Sequence, residues 1–390
     1  MTRNSSSTHS KTHFTARLTA CVVGLILMIF AAQANAQTVH QFSYNNSTWI
    51  DQNLFGSATD LHTGVASFLT TPNDQTHAFY LDSSDDIHQL FFNGTSWTDE
   101  NLTAEGFGPP AMPKSQLAGF SIQNFQYVYY VAQNQHVHQL NYNNATWVDS
   151  DLTSLAGGLL SSKTPRLAAL TTGGSGLHVY YLAKNGHISQ LYNVSGTWGS
   201  QDLTQIAGAP SSKATWMSAV SISNFQYVYY VAKTGHVHAL YYNNSTWLDE
   251  DLTSIAGTLP AAAASGVAST VIASSENILA VYFIANNNHV WQMLSGDNVV
   301  WASTDMTGNA RGPLATPTAG LVAFTTTPNN DLHVYYVSKK HVNQLFLPSG
   351  TSTWQNSDLT AQFHGSVVNP TSAMAGFSLQ NFQYLYYVAK

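Results

Sequence analysis

Seven tryptophans recur along the chain at spacings of 48 to 54 residues. An indole ring held at one position of a repeat can stack on the apolar face of a sugar ring, and it can equally bury its large surface between repeats. Both roles are open from the sequence, so all seven are candidate ligand-binding residues. They are Trp49, Trp97, Trp147, Trp198, Trp247, Trp301 and Trp354.

The segment before each tryptophan carries a second set of candidates. One position holds Ser189, Trp291 or Asn343 in three copies and histidine in the other four, and Tyr142 and Tyr242 follow four residues later. Variation among groups that hydrogen-bond to hydroxyls suits a ligand-lining position. The alternative is a histidine that donates to the backbone of a neighbouring repeat. The four histidines are His40, His88, His138 and His238.

Metal binding is not predicted. His136 and His138, and likewise His236 and His238, stand two apart and share one face of a strand, as two zinc ligands would. No cysteine or carboxylate recurs as a third ligand. The sequence therefore predicts no metal and no cofactor.

Catalysis is not predicted either. A hydrolase needs one asymmetric pocket with paired carboxylates or an activated nucleophile, whereas most acidic residues here recur at turn positions. Residues 37–390 contain only two arginines, Arg166 and Arg311, to hold an anionic substrate. We expect no enzyme.

Two further recurring features are expected to be structural. A triplet such as Asp251-Leu252-Thr253 begins four residues after each tryptophan, and its carboxylate and hydroxyl can satisfy the backbone of a turn. A glutamine next to the variable histidine position is expected to tie neighbouring repeats together. It occurs as Gln41, Gln89, Gln139, Gln190, Gln292 and Gln344.

These residues lie on a repeat of about fifty residues with two halves. The tryptophan segment alternates with an aromatic segment that is clearest at 118–132, 219–232 and 375–389. Val, Ile, Tyr, Phe, Thr and Trp cluster in short runs bounded by Asn, Gly, Asp and Ser, so each half reads as two strands. The period and strand count predict an all-β, seven-bladed β-propeller of four-stranded antiparallel blades.

The two ends of the chain supply complementary halves of one repeat. The tryptophan half at Val39 to Leu54 comes first, and an aromatic half ends the chain at Lys390. Pairing of the N- and C-terminal strands would complete the seventh blade and close the ring, which removes exposed sheet edges.

Residues 1–36 are predicted to be a signal peptide. Basic residues precede the apolar run Leu18 to Ala32, and Ala34-Asn35-Ala36 offers a cleavage site after Ala36. We expect secretion, to the extracellular space or periplasm, with residues 37–390 as a single propeller domain.

The sole cysteine, Cys21, lies in the signal, so the mature chain lacks disulfides. Its ten basic and twenty acidic residues disfavour nucleic acid and anionic membranes as partners.

The repeat resembles that of the bacterial seven-bladed β-propeller lectins, which bind fucose and O-methylated sugars. The resemblance rests on the aromatic strand, the H-V-H-Q-L strand, the single tryptophan and the Asp-Leu-Thr triplet, often followed by Ala-Gly, and it covers residues 39–390. One full copy runs from His236 through Trp247 and Asp251 to Gly257. The chain is more distantly similar to the six-bladed fungal fucose lectins, whose repeated arginine it lacks.

The resemblance implies shallow sugar pockets between adjacent blades, up to seven per ring, in which weak single sites are reinforced by multivalency. It predicts a secreted, non-catalytic lectin for fucosylated or O-methylated glycans. A propeller scaffold for protein or cell-surface interaction, in which the same aromatic residues are all core, is the alternative. The expected partners are glycans or glycoconjugates, with no membrane insertion after signal removal, and homo-oligomerisation is left open.

Overall fold

The computed structural model describes residues 37–58, 64–213, 216–272, 277–370 and 373–389. The predicted signal peptide, residues 1–36, lies outside this part of the chain. No helix within the described ranges is long and apolar enough to cross a membrane.

The aromatic and β-branched runs form twenty-eight strands in seven four-stranded antiparallel sheets across the described ranges. From the inside outward, blade 1 contains β27 (Met374–Leu379), β28 (Phe382–Ala389), β1 (Gln37–Tyr44) and β2 (Trp49–Ala58). Blades 2 and 3 contain β3 (Ala66–Thr70), β4 (Gln75–Leu81), β5 (Ile87–Phe92), β6 (Trp97–Asn101), and β7 (Ala118–Ile122), β8 (Phe125–Val131), β9 (Val137–Tyr142), β10 (Trp147–Asp151). Blades 4 and 5 contain β11 (Leu167–Thr172), β12 (Gly176–Leu182), β13 (Ile188–Val194), β14 (Thr197–Asp202), and β15 (Ser218–Ile222), β16 (Phe225–Val231), β17 (Val237–Tyr242), β18 (Trp247–Asp251). Blades 6 and 7 contain β19 (Val267–Ile272), β20 (Ile278–Ile284), β21 (Val290–Ser295), β22 (Ala302–Asp305), and β23 (Val322–Thr325), β24 (Leu332–Ser338), β25 (His341–Leu347), β26 (Gln355–Asp358).

The first strands of the seven blades contact one another around a central channel, and β27 contacts β3 to complete the circle. Blade 1 joins the two ends of the chain, because β1 pairs with β28 in a register that places Phe42 opposite Leu385. The predicted seven-bladed ring, closed by its terminal strands, is confirmed.

Each blade buries both of its faces. In the second strand of blade 3, Tyr129 packs towards blade 4 and Tyr130 packs towards blade 2, and both are fully buried. The same pattern yields seven apolar clusters, one at each junction between blades. A blade is therefore stabilised only when a neighbour covers each side.

The Asp-Leu-Thr triplet begins a short helix that follows the outer strand. In blade 5 the Asp251 carboxylate accepts from the backbone N–H of Ser254 at 3.0 Å, Leu252 is fully buried, and the Thr253 hydroxyl accepts from the Val237 N–H at 2.9 Å. Each of the three residues thus has a separate structural task. The described helices are α1 (Leu102–Glu105), α2 (Leu152–Ala156), α3 (Leu203–Ala207), α4 (Leu252–Ala256), α5 (Met306–Ala310) and α6 (Leu359–Gln362).

The ring has two different faces. The connection face carries the helices, the links to the next blade and the turns between second and third strands, such as residues 82–86 and 102–117. The hairpin face carries the other turns, such as 71–74 and 93–96.

Replacement of Thr253 by valine should lower the free energy of unfolding by about 1–3 kcal/mol, because it leaves the buried Val237 N–H without an acceptor. Thr258→Val is the matched control, since the buried Thr258 hydroxyl has no hydrogen-bond partner within the described ranges. Urea denaturation should show the first variant destabilised and the second unchanged or slightly stabilised. Equal stability of the two variants would contradict this role for the triplet.

Candidate functional site

Within the described ranges, grooves open between the outer parts of neighbouring blades at three of the junctions, and each is named by the two blades that form it. Their volumes are about 300 Å³ for groove 2/3, about 320 Å³ for groove 7/1 and about 510 Å³ for groove 1/2. Each uses the same four repeat positions: a second-strand residue and a glutamine from the first blade, and an aromatic residue and the repeat tryptophan from the following blade. In this order they are His77, Gln89, Tyr142 and Trp147 in groove 2/3, His333, Gln344, Tyr44 and Trp49 in groove 7/1, and Tyr384, Gln41, Phe92 and Trp97 in groove 1/2.

The floor of groove 2/3 is a neutral hydrogen-bonded triad. The Gln89 side-chain amide donates to His77 Nδ1 at 2.6 Å and to Gln126 Oε1 across the junction at 2.8 Å. His77 Nε2 then faces the Thr70 hydroxyl at 3.3 Å, so the imidazole carries its proton on Nε2. The prediction that this glutamine ties neighbouring blades together is therefore confirmed at the junction of blades 2 and 3.

Burial keeps the triad histidines uncharged. It lowers the pKa of His77, His178 and His333 to about 4 in each case, because a buried imidazolium loses its hydration. At neutral pH these groups present hydrogen-bonding nitrogen atoms without positive charge.

The triads follow an alternation between blades. Histidine occurs in blades 2, 4 and 7, and the blade after each of them carries the glutamine that completes the triad. An odd number of blades cannot alternate between the histidine type and the glutamine type all the way round the ring. Blade 6 has neither residue: Leu279 stands at the glutamine position and Ala280 at the histidine position. The triads are His77, Gln89 and Gln126; His178, Gln190 and Gln226; and His333, Gln344 and Gln383.

The sequence candidates did not include these histidines. The sequence nevertheless contains a signal for them. Three of the four looser copies of the aromatic half place a histidine two residues before an aromatic pair, Phe79-Tyr80, Tyr180-Tyr181 or Tyr335-Tyr336. Only the cross-blade contact with glutamine shows that this position faces a junction.

The candidate tyrosines lie at the groove wall. Tyr142 is partly exposed, lines groove 2/3, and contacts Trp147 with 5.5 Å between ring centroids. Tyr242 contacts Trp247 in the same way at 5.6 Å. The aromatic surface that reaches solvent in these grooves therefore comes chiefly from the residue that precedes the hairpin turn.

The candidate tryptophans lie mostly inside the blade junctions. Trp97 and Trp198 are partly exposed, while the other five are 4–8% exposed. Trp147 packs edge-on against Phe79 of the preceding blade with centroids 6.4 Å apart, and Trp247 packs against Tyr180 at 6.1 Å. The indoles form the inner side of the grooves, behind the partly exposed aromatic wall.

The four candidate histidines are engaged in pairs within their own blades. In blade 3, His138 Nδ1 lies 2.8 Å from the Asp149 carboxylate, which also accepts from the Tyr130 hydroxyl at 2.9 Å. His40, His88 and His238 pair likewise with an aspartate two residues after the tryptophan. Blades without this histidine have serine or asparagine in place of the aspartate. None of the four lines the three grooves.

In the two pairs of histidines that stand two residues apart, the first histidine, His136 or His236, contacts the carboxylate that caps the short helix. His136 Nδ1 contacts Asp151 at 2.7 Å, and His236 contacts Asp251 at 2.7 Å. Across the described residues, no group of three or more histidine, cysteine or acidic side chains is placed to hold a metal ion.

The polar lining differs between grooves. Glu100 lines groove 2/3, where burial, followed by the carboxylates of Glu105 and Asp99, raises its pKa. The same strand position is Gln52 in groove 1/2 and Ser357 in groove 7/1. The grooves thus share one aromatic frame and offer different hydrogen-bonding groups.

A family model for fungal fucose-specific lectins matches residues 162–385, more than half of the chain. The chain belongs to the fungal fucose-specific lectin family. The predicted membership of the fucose-lectin propellers is confirmed. Membership supports a carbohydrate-binding lectin and points to a protein without catalysis. No curated protein sequence matches this chain.

Solved lectin structures share the fold at low sequence identity. The BP39L lectin from Burkholderia pseudomallei is 15% identical with a TM-score of 0.60, over 81% of this chain and 88% of that chain. The Aleuria aurantia lectin in complex with alpha-methyl-L-fucoside is 20% identical with a TM-score of 0.56, over 80% and 97%. AofleA from Arthrobotrys oligospora is 14% identical with a TM-score of 0.55, over 90% and 94%.

Acid should destabilise this lectin through its groove histidines. In the unfolded chain His77 is protonated below about pH 6.5, whereas in the folded protein it stays neutral until about pH 4. The free energy of unfolding therefore decreases as pH falls from 6.5 towards 4. His77→Gln should reduce the loss of unfolding free energy between pH 7.5 and 4.5 by roughly 2–3 kcal/mol. Urea unfolding across this range measures it, with each protein at pH 7.5 as its own reference. An identical pH dependence in variant and parent would refute the assignment.

Proposed function

We propose that this chain is a secreted lectin that binds neutral glycans bearing fucose or O-methylated sugars in the grooves between its blades. The observation that carries the proposal is the repeated groove, with a partly exposed aromatic wall above an uncharged floor. Secretion rests on the signal-like sequence of residues 1–36.

The chemistry of the grooves suits a neutral sugar. A pyranose ring has an apolar face that stacks on aromatic surface and hydroxyls that exchange hydrogen bonds with amides and carboxylates. In groove 2/3, Tyr142 supplies the surface, and Gln75, Glu100 and Thr146 supply the polar groups. No lysine or arginine is among the described residues that line the three grooves, which disfavours an anionic ligand there.

The fucose part of the proposal is supported by related lectins. The Aleuria aurantia lectin has been solved with alpha-methyl-L-fucoside, and SapL1 with alpha methyl fucoside. Family membership extends this ligand class to the present chain as a proposal.

Repetition around the ring makes weak sites effective. Grooves on one rigid ring engage several sugars of a glycan-covered surface at once, and such avidity exceeds single-site affinity by about 10² to 10⁴. Because Glu100, Gln52 and Ser357 differ, we expect the grooves to differ in affinity.

One observation favours a second candidate function. Five of the seven tryptophans are at most 8% exposed, as expected if they are core in a propeller that serves as a non-catalytic scaffold for protein or cell-surface interaction. In that case the grooves are incidental consequences of blade packing.

A glycan array probed with the purified protein, with free L-fucose as competitor, distinguishes the two functions. Binding that L-fucose abolishes would establish the lectin and its ligand class. An array that shows no binding by folded protein would reject the lectin and leave the scaffold.

Tyr142→Ala should weaken sugar binding in groove 2/3 about three- to tenfold, because it removes the stacking surface, whereas Tyr142→Phe should retain binding. Calorimetric titration should find one fewer site of full affinity in the alanine variant. Phe107→Asn, which removes an aromatic residue 93% exposed on the connection face, is the control. Unchanged binding by folded Tyr142→Ala would exclude this wall as the sugar platform.

A further inference from the structure

A separate cavity of about 160 Å³ lies on the connection face, beside the mouth of the central channel. Its charged lining residues are Lys114, Lys163 and Arg166, and Trp216 lines both this cavity and the channel. No acidic side chain is among the described residues that line it. The cavity therefore combines three positive charges with one aromatic surface.

Among the described residues, no acidic side chain forms an ion pair with Arg166. Its guanidinium lies 5.0 Å from the centre of the Trp216 ring, and one terminal nitrogen donates to the Pro165 carbonyl at 2.9 Å. The buried Nε has no hydrogen-bond partner in the part of the chain that the structure describes, and burial lowers the pKa of the group. A partly buried guanidinium without a carboxylate partner loses part of its hydration, and an anion in the cavity would compensate for that loss.

A shortage of acidic residues in the chain does not explain why Arg166 lacks a carboxylate partner among the described residues. The whole chain has 20 acidic residues against 13 lysines and arginines. Yet every ion pair found within the described ranges joins an aspartate to a histidine. Lys114, Lys163 and Arg166 therefore take part in none of these ion pairs.

The cavity is a departure from the repeat. At the repeat position that holds Arg166 in blade 4 and Trp216 in blade 5, no other blade carries a cationic or an aromatic residue. The next blade has Gly266 there, where an added Cβ would lie 2.5 Å from Trp216 Cβ. The glycine makes room for the indole, and the indole holds the guanidinium, so the arrangement is built once per ring.

We propose that this cavity binds one oxyanion, the carboxylate or sulfate group of an acidic saccharide. The planar fork of Arg166 suits a bidentate oxyanion, and Lys114 and Lys163 add flanking charge. The cavity is large enough for the anionic group and part of one ring, with Trp216 as the adjacent apolar surface. This site is independent of the grooves proposed for neutral sugars.

The surroundings favour a saccharide over a lipid headgroup. Residues 37–390 have a net charge of −10, and Asp85 and the helix-capping carboxylates share the connection face with the cavity. An anionic bilayer would meet these carboxylates across a wide area, whereas a single sugar anion enters the cavity without doing so.

The test is calorimetric titration of the purified protein with methyl β-D-glucuronide, with methyl β-D-glucoside as the neutral probe of the same shape. We expect saturable binding of one glucuronide per chain, competition by sodium sulfate, weakening by added salt, and no binding of the glucoside. Excess L-fucose should leave glucuronide binding intact, so failure here is distinguishable from failure of the groove sites. Equal binding of the two glycosides, or no binding of glucuronide, would overturn the proposal.

Variants locate the site. Arg166→Gln should weaken glucuronide binding about tenfold or more, and the exposed Lys163→Gln about threefold. Lys340 is an exposed lysine in the turn between the second and third strands of blade 7, on the same face of the ring. Lys340→Gln should leave glucuronide binding unchanged. Wild-type affinity in folded Lys163→Gln and Arg166→Gln would overturn the assignment. Arg166-dependent binding to phosphatidylserine vesicles without binding of glucuronide would overturn the choice of a saccharide.

Discussion

Each blade of this lectin is apolar on both faces, and the rest of the structure depends on that constraint. Adjacent tyrosines such as Tyr129 and Tyr130 point to opposite sides of one strand and are both fully buried. A sheet of this kind cannot face water on either side, so every blade requires two neighbours. A closed ring satisfies the requirement for all seven, and pairing of β1 with β28 makes the ring continuous at the ends of the chain.

Polar groups buried between blades must then be hydrogen-bonded, and the pattern of these hydrogen bonds differs from one junction to another. Neutral triads such as His77, Gln89 and Gln126 cross some junctions, whereas Gln139 donates to the Tyr129 hydroxyl of its own blade. Histidine–aspartate pairs such as His138 and Asp149 satisfy buried groups within a blade. A ring of nearly identical repeats thereby acquires grooves that share a frame and differ in hydrogen bonding.

Repetition and departure from repetition have different functional consequences. The grooves recur because they follow from the packing of one blade against the next, which suits many weak contacts with a glycan surface. The cavity of Arg166 and Trp216 occurs once, because it depends on residues that only two neighbouring blades carry and on the space left by Gly266. Multivalent and single-site recognition can therefore coexist on one ring.

The sequence by itself determined the repeat, the number of blades and the closure of the ring, because strand periodicity and turn residues act locally and were repeated seven times. It also indicated the structural tasks of the Asp-Leu-Thr triplet and the glutamine, although the helix of four or five residues is too short to show a helical period. Only the tertiary structure decided which side chains meet across a junction. It placed most repeat tryptophans behind the groove wall, directed His138 to Asp149, and brought His77 to Gln126 and Arg166 to Trp216. Contacts between blades join residues about fifty positions apart, and their geometry follows from the packing of whole sheets, which no local pattern encodes.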